Sequence, residues 1–394
     1  MPIIELAEYG PDFNANPYPY YAKLREAGPV HEVRSGPDSR FWLVVGYEEG
    51  RSALADPRLS KSASPADSES LFMGKHVLIV DPPDHTRLRK LISREFTARR
   101  VESLRPRVQE ITDGLLDAML ADGRQHADLV DALAFPLPIT VICELLGVPD
   151  ADRETFRGWT NEIVAPSTPE LSREAGMSLR GYLDELIEDK RCSGPTDDLL
   201  SALLRTSAEE GDRLSASELR AMAFILLIAG HETTVNLISN GVRALLAHPD
   251  QLAALRADFS LIDGAVEEML RYDGPVETAT LRFTKEPVRY GNTVIPPGET
   301  VLVSLASGDR DPARFPDPDT FDIRRAAGGG PGHLAFGHGI HFCIGAPLAR
   351  IEGRIAIRTL LERCPDLAHD PGAEPYNWLP GLLIRGVRNL PVRW

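Results

Sequence analysis

The stretch from Ser215 to Ala247 limits the fold more than any other part of this chain. Ser215 and Glu218 stand at the spacing of a capping box, apolar residues run from Ala221 to Ala229, and His248-Pro249 ends the pattern, which predicts one uninterrupted helix. At 1.5 Å per residue such a helix is roughly 48 Å long, enough to cross a whole domain. Apolar on most sides, it has to be central and buried. The next residues, Gly230-His231-Glu232-Thr233-Thr234, break that rule. Glycine weakens a helix by about 1 kcal/mol relative to alanine and threonine hydroxyls divert backbone hydrogen bonds, so this turn predicts a local distortion facing a ligand. The alternative is a solvent-exposed stretch.

Around this helix nearly all the sequence has helical periodicity. Two β-rich runs, Val30 to Val33 and Phe41 to Val45, flank the turn-forming Ser35-Gly36-Pro37-Asp38 and predict a hairpin. Short strands are also expected between 288 and 304, where Pro296-Pro297-Gly298 interrupts them. The fold class is therefore mainly α with small β-sheets. A length of 394 residues suggests two or three domains. Nothing resembling a linker or an internal repeat divides the sequence, however, so residues 1–394 are read as a single domain. A formal charge of −15 disfavours nucleic acid or an anionic membrane surface as partner. The longest apolar run, Met222 to Gly230, is about half the ~18 residues of a membrane span, and no basic leader opens the chain, which points to a soluble, cytoplasmic protein.

Four cysteines lie far apart, and Cys343 alone stands in a special setting. It occupies a glycine-rich loop, residues 335 to 345, just before an amphipathic helix. Backbone N–H groups and a helix N-terminus beside a thiol lower its pKa and suit it to bind a metal. By chemistry alone Cys343 is a ligand, a nucleophile or an inert buried thiol. A zinc site built from His333, His338, His341 and Cys343 fails on spacing, and His231-Glu232 lacks the second histidine of a metalloprotease helix because position 235 is Val235.

The loop carries Phe336, Gly339, His341, Cys343 and Gly345 at the fixed positions of F-x-x-G-x-[H/R]-x-C-x-G. Ala229 to Thr234 fits [A/G]-G-x-[D/E]-T-[T/S], and Glu268 to Arg271 fits E-x-x-R. In these motifs and their order the whole chain resembles the cytochrome P450 family. Gly308-Asp309-Arg310-Asp311 departs from it, since the family more often has Asn before Arg-Asp. The resemblance implies a long central helix over a b-type haem, with Cys343 as the axial iron ligand and His85, Arg89, Arg282 and His341 bonding the propionates. It makes Glu232 and Thr233 the catalytic pair that passes protons to bound dioxygen, with Gly230 letting dioxygen approach the backbone. Glu268 and Arg271 become a structural ion pair, of the kind that contributes a few tenths of a kcal/mol when exposed.

The implied reaction is hydroxylation or epoxidation of a bulky apolar substrate, with electrons from NAD(P)H through a ferredoxin reductase and a ferredoxin. Within the family the chain looks most like soluble bacterial enzymes that tailor macrolides and other polyketides. A haem sensor or carrier without oxygenase activity is the alternative; the Glu232-Thr233 pair argues against it. Substrate contacts are expected from Ser62 to Val80, Thr160 to Leu171, Val276 to Leu281 and Gly381 to Leu383. Residues 85 to 107 hold eight Lys or Arg against two Glu, and Arg350, Arg354 and Arg358 recur on the helix after Cys343, so an acidic ferredoxin is expected to dock there.

Overall fold

A computed structural model describes the chain except for residues 1–2, 6–8, 11, 37–38, 63–73, 95, 122, 150–152, 165, 195, 209–213 and 329–331. The Pro37-Asp38 part of the first turn and most of the expected contact loop, including Leu71, Phe72 and Met73, lie outside the described residues.

The central helix spans Ala216–Ala247 without interruption. Ser215 accepts from the Glu218 amide and the Glu218 side chain accepts from the Ser215 amide, so the capping box is complete. The predicted distortion at 230–234 does not break the helix. This is the one described helix long and apolar enough to cross a membrane, yet other helices cover it: Pro136–Leu146, Pro169–Ser193, Ile262–Asp273 and Ala346–Arg363 all pack against it. Gly230 shows how close that packing is. A Cβ there would lie 2.6 Å from Cγ1 of Ile142 on the Pro136–Leu146 helix, so the missing side chain admits a neighbouring helix, while the residue itself stays partly accessible.

The strands form a six-stranded sheet in the order Ile4–Glu5, Val30–Gly36, Ser39–Val44, Thr300–Val303, Arg282–Thr284, Leu59–Ser60. The predicted hairpin pairs Val30 with Val44 and Val33 with Phe41, burying all four. The second group of strands divides. Val288–Tyr290 and Thr293–Ile295 make a separate hairpin, while Thr300–Val303 leaves it after Pro296-Pro297-Gly298 to run parallel to Ser39–Val44 and antiparallel to Arg282–Thr284. Proline gives no ladder donor and Gly298 turns with φ +80°, so the strand cannot continue there. Its new path aligns Arg282 with Val301 inside the sheet, which fixes the backbone of one expected site residue.

Glu268 and Arg271 are buried, 2% and 3% exposed, instead of forming a surface pair. Arg271 makes two 2.7 Å bonds to the Glu268 carboxylate and donates to the carbonyls of Asp309, Pro318 and Thr320. Glu268 also accepts from the Asp322 amide and the Arg325 guanidinium. The pair thereby ties the Ile262–Asp273 helix to the segment leading into the Cys343 loop.

Candidate active site

Sequence chemistry sets the shape of the Cys343 loop. Gly337 and Gly339 turn at φ +72° and +76°, where a side chain is strained, and a Cβ on Gly339 would lie 3.0 Å from the Ala55 backbone. The Cys343 amide closes the loop on the Phe336 carbonyl at 2.9 Å. Upstream, the Leu334 amide donates to Asp309 at 2.6 Å; downstream, Arg350 grips Glu267 at 2.6 and 2.8 Å and lies 4.5 Å over the Phe336 ring. Both ends of the loop are therefore anchored. Cys343 keeps accessible surface although protein surrounds it, so its thiol lines an internal cleft. Burial pushes the thiol pKa up, outweighing the Gly345 and Ala346 amides and the charges of Arg89 and Arg350 that pull it down. The expected net lowering is therefore absent: the loop supplies the stabilising groups, but desolvation wins.

The other expected binding residues gather beside this loop. Arg89, on the helix Asp84–Ser93, donates to the Phe342 carbonyl at 2.6 Å. The rings of His85 and His341 are 4.3 Å apart. Arg282 donates to the Thr280 carbonyl at 3.0 Å. His85, Arg89 and Arg282 are all shifted toward their neutral forms, chiefly by burial, Arg282 to about 10. His341 falls to about 3 through burial and its cationic neighbours. His85 Nε2 is buried without a hydrogen-bond partner. A ring of imidazoles and guanidiniums that, among the described residues, lacks bonded carboxylates suits a ligand bringing its own, and a haem brings two propionates and an iron that takes a thiolate. The donor set fits a haem.

Glu232 and Thr233 lie on the central helix. Glu232 is buried, and burial raises its carboxyl pKa above the ordinary value while a 3.4 Å bond from Asn236 pulls it down. Thr233 is half-buried and its hydroxyl donates to the Ala229 carbonyl at 3.1 Å, the diversion expected of a mid-helix threonine. His231 is fully buried, bonding the Leu227 carbonyl and, at 3.2 Å, the Thr160 hydroxyl. Thr160 is thus a core partner of the central helix, not the substrate contact expected of it.

The wall Val276 to Leu281 and the turn Gly381 to Leu383 do meet. The Glu277 amide donates to the Leu383 carbonyl at 2.9 Å and the Thr278 hydroxyl to the Leu382 carbonyl at 2.9 Å, leaving Leu281 and Leu383 exposed.

Glu352 is a polar group that reading the motifs missed. It sits on the buried face of Ala346–Arg363, its oxygens without hydrogen-bond partners of good geometry and its pKa raised by burial to about 8, with the Thr234 hydroxyl acting against that rise. The sequence signal was available: a glutamate beside Leu348, Ile351 and Ile355 falls on the apolar stripe.

The expected basic patch is largely paired. Arg87 bonds Glu218, Arg105 bonds Glu102, and Arg107 bonds Glu110 and Glu144. On the later helix Arg350, Arg354 and Arg358 pair with Glu267, Asp263 and Glu362. Most of these acidic partners lie outside the counted segment, so a count along the chain overstated the local charge. Arg94 and Arg99 are exposed, and Glu95 lies outside the described residues.

Comparison with known proteins agrees with this geometry. The family model described as cytochrome P450 matches residues 156–377. Cytochrome P450 monooxygenase PikC of Streptomyces venezuelae is 60% identical over 397 aligned residues, covering 100% of this chain and 94% of that protein. Mycinamicin IV hydroxylase/epoxidase of Micromonospora griseorubida is 42% identical, covering 95% of this chain and 94% of its own. Among solved structures, the tirandamycin C-bound P450 monooxygenase TamI superposes with a TM-score of 0.90 at 44% identity, covering 99% of both chains.

Proposed function

This chain belongs to the cytochrome P450 family and is a monooxygenase, and on that premise we propose that it hydroxylates or epoxidises a macrolide or other bulky apolar polyketide in the cytoplasm. Its electrons come from NAD(P)H through a ferredoxin reductase and a ferredoxin, and residues 1–394 act as one domain. The observation that carries the reading is the Cys343 thiol lining a cleft beside basic groups that bond no carboxylate among the described residues.

A thiolate-ligated haem supplies dioxygen reduction and O–O cleavage when bound. Cys343 is its ligand, and His85, Arg89, Arg282 and His341 hold its propionates. The protein's own share of the chemistry is proton handling. Burial keeps the Glu232 carboxyl less acidic than a surface glutamate, which makes it a donor better matched to neutral pH. The Thr233 hydroxyl is half-buried and satisfied only by its own helix, so it can turn from the Ala229 carbonyl to a ligand in the cleft. Exposed Leu281 and Leu383 offer apolar surface to the substrate. The names of the relatives support the polyketide class.

The test is spectroscopic. The reduced, carbon-monoxide-bound protein is expected to show the band of a thiolate-ligated haem, and Cys343→Ala to lose it; a variant that keeps the band overturns the assignment. Titrating macrolides against the ferric protein then reads substrate binding from the change in iron spin state, and product analysis separates an oxygenase from a sensor.

A further inference from the structure

Lys61 belongs to none of the motifs and is 4% exposed. Leu59 pairs with Thr284 and Ser60 with Phe283, so Lys61 comes next in register to Arg282. Its ammonium donates to the Thr280 carbonyl at 3.1 Å, the Leu281 carbonyl at 2.9 Å and the Thr280 hydroxyl. Arg282 reaches the same Thr280 carbonyl at 3.0 Å, which places two buried cationic groups within about 6 Å of each other. All three ammonium bonds go to neutral oxygens. Asp81 is the carboxylate in its field, and Asp81 already takes the Lys61 amide at 2.8 Å, the Ser60 hydroxyl and the Lys285 ammonium at 3.2 Å.

Two like charges this close and this buried are costly unless an anion joins them. The Thr280 hydroxyl shows where one can bind. It accepts from Lys61, so its own proton is free to be donated, and no acceptor among the described residues takes it. Burial and Arg282 push the Lys61 pKa well below the ordinary lysine value, and a nearby carboxylate would reverse that.

We propose that Lys61 is a positioning residue for the cofactor, a further counter-charge to a haem propionate that acts through the Thr280 hydroxyl and alongside Arg282. This rests on the reading that Arg282 and His341 face propionates. A cation held there favours the ferrous over the ferric state and slows haem loss.

The test uses the full-length holoprotein with Lys61→Met, Lys61→Arg and Arg282→Met. Haem transfer to excess apomyoglobin and the ferric/ferrous midpoint potential are measured in each. Lys61→Met is expected to release haem roughly tenfold faster, equivalent to about 1.4 kcal/mol, and to shift the potential to a more negative value, with Lys61→Arg restoring both. If Arg282→Met moves both quantities while Lys61→Met moves neither, Lys61 is only a brace for the Thr280 strand and the proposal fails alone. If neither variant moves them, the propionate reading of this end fails with it. A third arm titrates laurate against the ferric protein. Loss of its spin-state response in Lys61→Met, with haem release and potential unchanged, would assign the carboxylate to a substrate and overturn the proposal.

Discussion

Around Glu268 and Arg271 buried charges of opposite sign bond one another and several carbonyls, whereas among the described residues His85, Arg282 and His341 bond no carboxylate, Asp81 acts on the two imidazoles only at a distance, and one imidazole nitrogen has no partner. Both regions are buried, so burial is not what separates them. The first network is complete within the chain and can act only on the fold. The second needs negative charge from outside. Polar satisfaction thus distinguishes a structural cluster from a ligand cradle where sequence motifs mark both alike.

The largest expected effect breaks the complete network. Arg271→Ala leaves the buried Glu268 with the Asp322 amide and the Arg325 guanidinium, and losing one partner of such a pair costs about 3–5 kcal/mol, a large share of a typical domain's stability. Arg282→Met is expected to leave the melting temperature of the haem-free protein unchanged or slightly raised, because it removes a like-charge contact. Calorimetry on both apoproteins checks the contrast, and equal losses would erase it.

Within the central helix the expected effects are kinetic. Thr233→Ala should let NAD(P)H oxidation continue while peroxide rises and product per NAD(P)H falls, by up to the roughly hundredfold that a single proton-transfer group contributes. Glu232→Gln should instead slow turnover with coupling largely kept. Measuring product and peroxide per NAD(P)H separates the two, and unchanged coupling in Thr233→Ala would count against the relay.

Asp309 is an exception inside the structural region and sharpens the comparison. Burial raises its pKa to about 7, opposed by His333, the Leu334 amide, Arg271 and Arg310. Unfolded, the carboxyl ionises near its ordinary value of 3.8. Between those values the folded state holds the extra proton, so this residue's contribution to stability is present at low pH and is lost as pH rises toward 7. Asp309→Asn can still accept from the Leu334 amide without carrying charge. It is expected to gain about 1–2 kcal/mol over wild type at pH 8 and much less at pH 5, in denaturant melts at both values. An equal difference at both pH values would show that Asp309 is not the titrating group.

The smallest effect concerns the surface. With most of the basic patch paired, Arg94→Glu with Arg99→Glu should slow ferredoxin-supported reduction only a few-fold at low salt, the difference fading as ionic strength approaches physiological values, where screening acts over about 8 Å. A collapse of the rate at all salt concentrations would restore the docking patch to the central place that the charge count gave it.

What could be read from the sequence followed the physics. The central helix, its cap and the first hairpin were legible because periodicity and capping chemistry are local; that Arg89 and His85 gather beside His341 and Cys343 was implied only by the family resemblance, since they lie about 250 positions apart. Pairings between distant segments were not. Glu218 neutralises Arg87 across 131 positions, and Thr300–Val303 deserts its expected hairpin for a strand more than two hundred residues earlier. That Gly230 also lets Ile142 of another helix pack closely had no local signal. Lys61 belongs to no motif and gave no signal although the chain has only six lysines; only the register set it beside Arg282.

The joint between the Val276–Leu281 wall and the Gly381–Leu383 turn has a consequence for how such a molecule diversifies. The Glu277 amide bonds the Leu383 carbonyl, the Arg385 amide bonds the Pro275 carbonyl, and Val276 bridges Ile384, so the contacts are mainly between backbones. Backbone contacts are indifferent to side-chain identity. Mutation can therefore redraw the exposed apolar surface at Leu281 or Leu383 while the frame that aims it stays in place, and on the proposed substrate role of these two leucines a lineage or a laboratory library can explore new substrates without rebuilding the scaffold.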